Sequence, residues 1–204
     1  MAYCTADEVK TYTGITKEDL GFSTDTDLDN FISTLISQAE EIINDYCGRD
    51  FNLHENVVEK HDAEAENYEY SDAFPRSKVA YLIFPKHYPI VSVSSLKIDD
   101  QTVDTDDYKV YDSYIKSKTI PKEKWQNIEL TYSYGYSSVP QSVKTVCIRL
   151  VAKMLNKAIQ IRGGRGAESL SVGDFSVKYN YSEGLDPELQ AMLNKYKKVG
   201  LVIS

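Results

Sequence analysis

Two arginines set among three glycines, Arg162-Gly163-Gly164-Arg165-Gly166, come nearest in this chain to phosphate chemistry. No Gly-Lys-Ser/Thr follows them, so they do not form the loop that cradles nucleotide phosphates. They read as a flexible joint after a helix C-terminus, with two guanidinium groups available to a phosphate or a neighbouring chain. The histidines are His54, His61 and His87; none pairs with another histidine at i, i+4, and no HExxH is present. His61 with Asp62 and Glu64 could hold a divalent cation weakly, but a solvated acidic loop is the simpler reading. G-x-S-x-G is absent. Carboxylates crowd residues 62–72 and 99–107, in turn-like polar contexts without the burial that would part their pKa values into an acid and a base. The expectation is a protein without catalytic residues, metal or cofactor. A hydrolase using the 99–107 carboxylates stays as an alternative.

Three widely spaced cysteines, Cys4, Cys47 and Cys147, make neither a disulfide framework nor a CxxC site. They point to folding in a reducing compartment. The 204 residues suffice for one domain with a sizeable insertion, and 42% hydrophobic with 26% charged residues is globular composition. No apolar run is long enough to span a membrane. The net charge of −8 is uneven: residues 1–72 carry 18 acidic and 4 basic residues, residues 73–204 carry 13 and 19. Such a chain presents either two solvated faces of opposite sign or a polarised particle that docks on copies of itself or on a partner. It lacks the basic stripe that tight nucleic-acid binding needs.

The elements behind these residues follow from periodicity. Thr5 with Glu8 predicts a capped short helix ended by Gly14, and 16–25 reads as a polar loop. Leu28, Phe31, Ile32, Leu35, Ile36, Ala39, Ile42, Ile43 and Tyr46 recur at helical spacing, capped by Asp25, Thr26 and Asp27 and closed by Gly48, and predict a helix over about 27–47. From 52 to 136 the period shortens to two. Strands are predicted at Val79–Phe84, Ile90–Ile98, Tyr108–Ile115 and Ile128–Tyr134, with Val91, Val93 and Leu96 as the apolar set alternating with Ser92 and Ser94, and 61–72 a mobile acidic loop. Val143, Val146, Cys147, Leu150, Val151, Met154, Leu155, Ala158 and Ile159 predict a second long helix over 141–161, Cys147 being a small buried hydrophobe. A hairpin over Ser169–Tyr181 and a last helix begun by Asp186-Pro187 complete the chain. The fold class is α+β: a helical scaffold (1–51 and 137–204, with the C-terminal hairpin and helix) carrying an inserted antiparallel β-rich block (52–136). Ten of the 16 tyrosines fall in that block. They read as ordinary strand tyrosines or as a surface recognising a protein or glycan.

Several segments, taken in order, resemble a known family. They are Thr5-Ala6-Asp7-Glu8-Val9-Lys10, Leu28-Asp29-Asn30-Phe31-Ile32, and Ala39-Glu40-Glu41-Ile42-Ile43-Asn44-Asp45-Tyr46-Cys47-Gly48-Arg49. Leu130 to Tyr136, Val139 to Lys144, Ala167-Glu168-Ser169 and Ser171 to Val177 complete the series. It resembles the head-tail connector (head completion or adaptor) proteins of long-tailed double-stranded DNA phages and prophages. The resemblance implies a structural protein of the virion neck at the capsid vertex, assembled in the host cytoplasm. It implies a ring of copies, usually twelve, beneath the portal protein. The ring would extend the channel through which double-stranded DNA passes without sequence-specific binding, and offer a surface to a stopper or tail-completion protein; no membrane is involved. Residues 52–127 depart from the compact helical members. The residues expected at the inter-subunit or portal interface are Arg162, Arg165, Val172, Phe175, Val177, Leu201, Val202 and Ile203.

Overall fold

The computed structural model describes residues 2–72, 78–122, 125–165 and 185–198. The expected hairpin at 169–181 and the apolar tail at 201–203 lie outside the described residues. The protein is a mixed α+β structure, and the chain divides into two units, residues 1–51 with 139–204, and residues 52–138.

The first unit is helical. In α1 (Ala6–Thr13) the Thr5 hydroxyl accepts the Glu8 N–H at 3.2 Å while Glu8 accepts the Thr5 N–H at 3.0 Å. This reciprocal cap is what Thr5 and Glu8 predict. The expected loop at 16–25 contains a further short helix, α2 (Lys17–Leu20). Asp19 Oδ2 accepts both the Thr16 N–H at 2.8 Å and the Thr16 hydroxyl at 2.9 Å, and Leu20 is fully buried. α3 (Asp25–Cys47) starts at Thr24 rather than at the acidic residues after it, because the Thr24 hydroxyl accepts the Asp27 N–H at 3.1 Å. Its stripe from Leu28 to Ile43 is buried as expected, with Cys47 completing it. Tyr46 is half-buried instead, and its hydroxyl donates to Asn194 at 2.8 Å.

The other long helix, α4 (Gln141–Arg165), buries Val143, Val146, Cys147, Leu150, Val151, Met154, Leu155 and Ala158. It does not break at the glycines. Glycine costs a helix only about 1 kcal/mol relative to alanine, and the preceding turns are fixed by a buried face. α5 (Pro187–Leu193) begins as predicted, Asp186 accepting the Leu189 N–H at 2.9 Å with proline in the first turn. α3 and α4 pack on each other; α1 and α2 contact both, and α5 lies on α4.

Among the described residues the second unit holds eight strands: β1 (His54–His61), β2 (Tyr68–Tyr70), β3 (Lys78–Ile83), β4 (Ile90–Ile98), β5 (Gln101–Thr102), β6 (Tyr108–Val110), β7 (Ile115–Ser117) and β8 (Ile128–Tyr134). They form two antiparallel sheets, ordered β1-β8-β4-β5 and β2-β3-β7-β6. Tyr68, Tyr81, Ile83, Leu96, Ile98, Ile115, Ile128, Leu130 and Tyr132 make one core between them. The hairpin from β4 to β5 turns on Asp99 and Asp100, both with positive φ (52° and 64°), the conformation that matches strand twist.

Three expectations for this block are corrected. Val91 is exposed, because register shifts at Ile90/Ser92 and Val93/Ser95 reset the alternation, leaving Ile90, Leu96 and Ile98 inside. The run Tyr108–Ile115 is two strands, β6 and β7, joined where the Tyr111 N–H donates to the Tyr114 carbonyl at 2.9 Å. The acidic segment 61–72 is not a mobile loop. It contains a 3-10 turn (Ala65–Asn67) and β2, and Tyr68 is anchored by its hydroxyl on the Pro121 carbonyl at 3.0 Å.

Candidate interaction surfaces

Arg162 stands on the last turns of α4 and is already engaged within its own unit. Its Nη1 donates to the Glu18 carbonyl at 2.9 Å, at the C-terminal end of α2. A helix C-terminus carries partial negative charge and unsatisfied carbonyls, which a guanidinium complements. Gly21, with φ +70°, makes room for it: a Cβ there would lie 2.2 Å from Arg162 Nη2. Asp19 sits nearby, its carboxyl held below the usual range by the Thr16 N–H, the Thr16 hydroxyl and the charge of Arg162. Arg165 is the last residue of α4. Val172, Phe175, Val177, Leu201, Val202 and Ile203 lie outside the described residues.

The tyrosines of the β unit divide by role. Tyr68, Tyr81 and Tyr132 are core residues. Tyr134 is clasped between two imidazoles, stacked on His54 at 4.7 Å and on His87 at 4.5 Å between ring centres. Tyr70 and Tyr111 are exposed, and Tyr111 stacks on Tyr114 at 4.5 Å. Tyr108 and Tyr111 border a surface pocket of about 250 Å³ that is also lined by Val79, Ala80, Asp106, Asp107, Lys109, Lys116 and Lys118. Lys109 and Lys116 are direct cross-strand partners in β6 and β7, a like-charge pairing that costs stability unless an anion lies close. Lys116 is paired with Glu69, and Lys118 donates to the Asp106 carbonyl at 2.8 Å. The alternation of Lys116 and Lys118 with the buried Ile115 and Ser117 is visible in the sequence once β7 is separated from β6.

Beneath the first sheet lies a polar cluster that periodicity did not reveal. Glu59 points inward from edge strand β1 and is 8% exposed. Its carboxylate accepts the Tyr132 hydroxyl at 2.6 Å and the Lys86 N–H at 3.0 Å, and His61 Nε2 lies 3.2 Å away. Burial pushes the Glu59 carboxyl up, but the hydrogen bonds from His61, Tyr132 and Lys86 outweigh it and hold the pKa at about 2. The same burial and the adjacent carboxylate push the Tyr132 hydroxyl well above its ordinary value. An inward-pointing charge on an edge strand also makes that edge a poor template for another chain. On the outer face, Glu129 of β8 lies between Lys97 at 2.8 Å and Lys60 at 3.6 Å.

The carboxylates at 99–107 serve turns. Asp99 accepts the Lys122 N–H and the Asn127 amide, each at 3.0 Å, and Asp104 accepts the Asp106 N–H at 3.0 Å. Among the described residues no group of three His, Cys, Asp or Glu is placed to hold a metal ion, and no helix is long and apolar enough to cross a membrane.

A family model described as head completion protein matches residues 2–199, spanning the helices and the β unit alike. The chain belongs to the head completion protein family. One relative, the head completion protein of Escherichia phage T5, is 22% identical over 201 residues, covering 98% of this chain and 100% of its own length. Head completion proteins are structural components of the phage virion, and this chain takes its place among them. The match includes the inserted β unit, so the insertion belongs to the family pattern of this chain.

Proposed function

We propose that this head completion protein assembles as a ring, of about twelve copies, on the portal protein at the capsid vertex. The ring extends the DNA channel and presents its far side to a stopper or tail-completion protein. The observation that carries this reading is the family match over residues 2–199, nearly the whole chain. The uneven charge supports it. A ring closes through unlike surfaces meeting at a fixed rotation, and the acidic 1–72 segment and the lysines about the Tyr108–Tyr111 pocket form such a complementary pair between neighbouring copies. Acidic side chains of residues 1–72 outside that contact face the lumen, where they repel phosphate and let DNA slide. Arg162, Arg165, the 172–177 segment and Leu201, Val202 and Ile203 complete the subunit and portal contacts.

The test is solution mass by light scattering, with and without portal protein, across a salt series. Ring-sized particles that form with portal and weaken as salt rises support the reading. A protein that stays monomeric with portal at low salt defeats it. A second reading, a β module recognising a protein or glycan through Tyr108 and Tyr111, rests on the pocket they border. A monomer that binds such a ligand and ignores portal would favour it.

A further inference from the structure

Two of the three cysteines meet in the helical unit. Cys4 lies just before the Thr5 cap of α1, and Cys147 lies in the second turn of α4. Both are buried, and the Cys4 thiol donates to Cys147 Sγ at 3.4 Å. The meeting is held from both sides. On one, the Tyr3 N–H donates to Glu40 at 2.6 Å and the Tyr3 hydroxyl accepts the Phe51 N–H at 3.0 Å, fixing the preceding residue. On the other, Glu8 of α1 pairs with Lys144, three residues before Cys147. Bond formation needs a sulfur–sulfur distance of about 2.05 Å, so the remaining approach of roughly 1.4 Å is of the order that rotation about two Cα–Cβ bonds supplies.

We propose that Cys4 and Cys147 are a covalent modification site, joined as an intramolecular disulfide when the protein meets a small-molecule disulfide oxidant. Cys4 reacts first, because it lies in an irregular segment that opens at lower cost than the middle of α4. Its thiolate attacks one sulfur of the oxidant, forming a mixed disulfide and releasing one small thiol. The Cys147 thiolate then attacks Cys4 Sγ, closing the protein disulfide and releasing the second small thiol. The two protein thiols lose two electrons, the oxidant gains them, and the two protons end on the released thiols. The hydrogen bond with Cys4 and burial raise the Cys147 thiol well above its ordinary pKa, so the step is slow in the folded state. Slow closure suits a virion component, which forms in a reducing cell interior and persists outside it. The bond would enclose residues 5–146, including the whole β unit.

The test uses the full chain, reduced, freed of reductant and incubated with oxidised glutathione at mildly alkaline pH. The expected result is a mass loss of about 2 Da from two lost hydrogens, and a peptide linking Cys4 to Cys147 in an unreduced digest. A rise in Tm on the order of 10 °C should follow, because the enclosed loop is long. Cys47→Ala should oxidise identically, since its sulfur takes no part. Persistent free thiols at Cys4 and Cys147, glutathione adducts without the link, or a link through Cys47 would each overturn the proposal.

Discussion

Arg162 Nη1 and the Gly21 N–H converge on one acceptor, the Glu18 carbonyl, at 2.9 and 3.2 Å. The end of α4 thereby fixes the end of α2. Arg162→Ala should lower stability by roughly 1 kcal/mol, the net worth of a hydrogen bond to a charged donor at a solvent-facing helix end. Gly21→Ala should cost more, about 1–2 kcal/mol, since it strains a φ of +70° and drives a Cβ into the guanidinium. Urea unfolding of both variants checks this; equal stability of all three proteins would show that the contact holds nothing in place.

Leu35 is buried on α3 and faces the helical core. Leu35→Asp should abolish cooperative folding of the helical unit, because an unpaired carboxylate in that core costs several kcal/mol, on the order of the protein's whole stability. Calorimetry decides it; a cooperative transition at unchanged temperature would contradict the packing.

Glu59 sets an acid limit on the β unit. Its folded pKa of about 2 lies below the ordinary 4.5, so its contribution is complete above about pH 4.5. That contribution is lost as pH falls from 4.5 toward 2, and amounts to about 3 kcal/mol. Glu59→Gln should be less stable at neutral pH and should flatten the acid limb of stability against pH. The check is urea unfolding at a series of pH values; an unchanged limb in the variant would assign it to other carboxylates.

Gly135 follows β8 with φ +103°, and its own N–H donates to the Pro89 carbonyl at 2.9 Å. A Cβ there would lie 1.9 Å from the Asn52 carbonyl oxygen, a backbone atom that cannot turn aside. Gly135→Ala should cost about 3 kcal/mol or more. Tm compared with wild type tests it, and a loss within experimental error would mean the backbone there yields freely.

Deleting 163–166 and, separately, 200–204 tests the proposed contacts. The first removes the last three residues of α4 and one beyond, far from the buried stripe. Both variants should fold with near-normal melting but bind portal weakly. Rings and portal affinity equal to wild type would move the interface elsewhere.

How far this was legible depends on how local each signal is. The Thr5–Glu8 cap and the stripes of α3 and α4 lie within one element and read directly. α2 escaped because Asp19 takes the role that the familiar cap pattern gives to Glu or Gln. β1 escaped because Glu59 and His61 occupy inward positions where apolar residues are expected; the Tyr132 hydroxyl and the Lys86 N–H, both distant in sequence, hold Glu59, and Glu59 in turn faces His61. Val91 was misplaced because a bulge leaves no mark in composition. Arg162 looked like a surface cation; its partner is a backbone carbonyl 144 residues away, which no spacing rule finds.

His54, the first residue of β1, and Tyr134, the last of β8, are register partners at one end of the outermost strand pair of the first sheet. The first and last strands of the β unit thus begin and end at neighbouring points, as the arms of a tight turn would. As a length of chain the insertion is a cartridge on a two-wire plug: its two leads lie side by side, so a longer or shorter insert leaves their spacing unchanged. Replacing 54–134 with a two-residue turn would show whether the helices fold without their passenger. Lineages could then change what the cartridge meets on the outside while leaving the scaffold untouched.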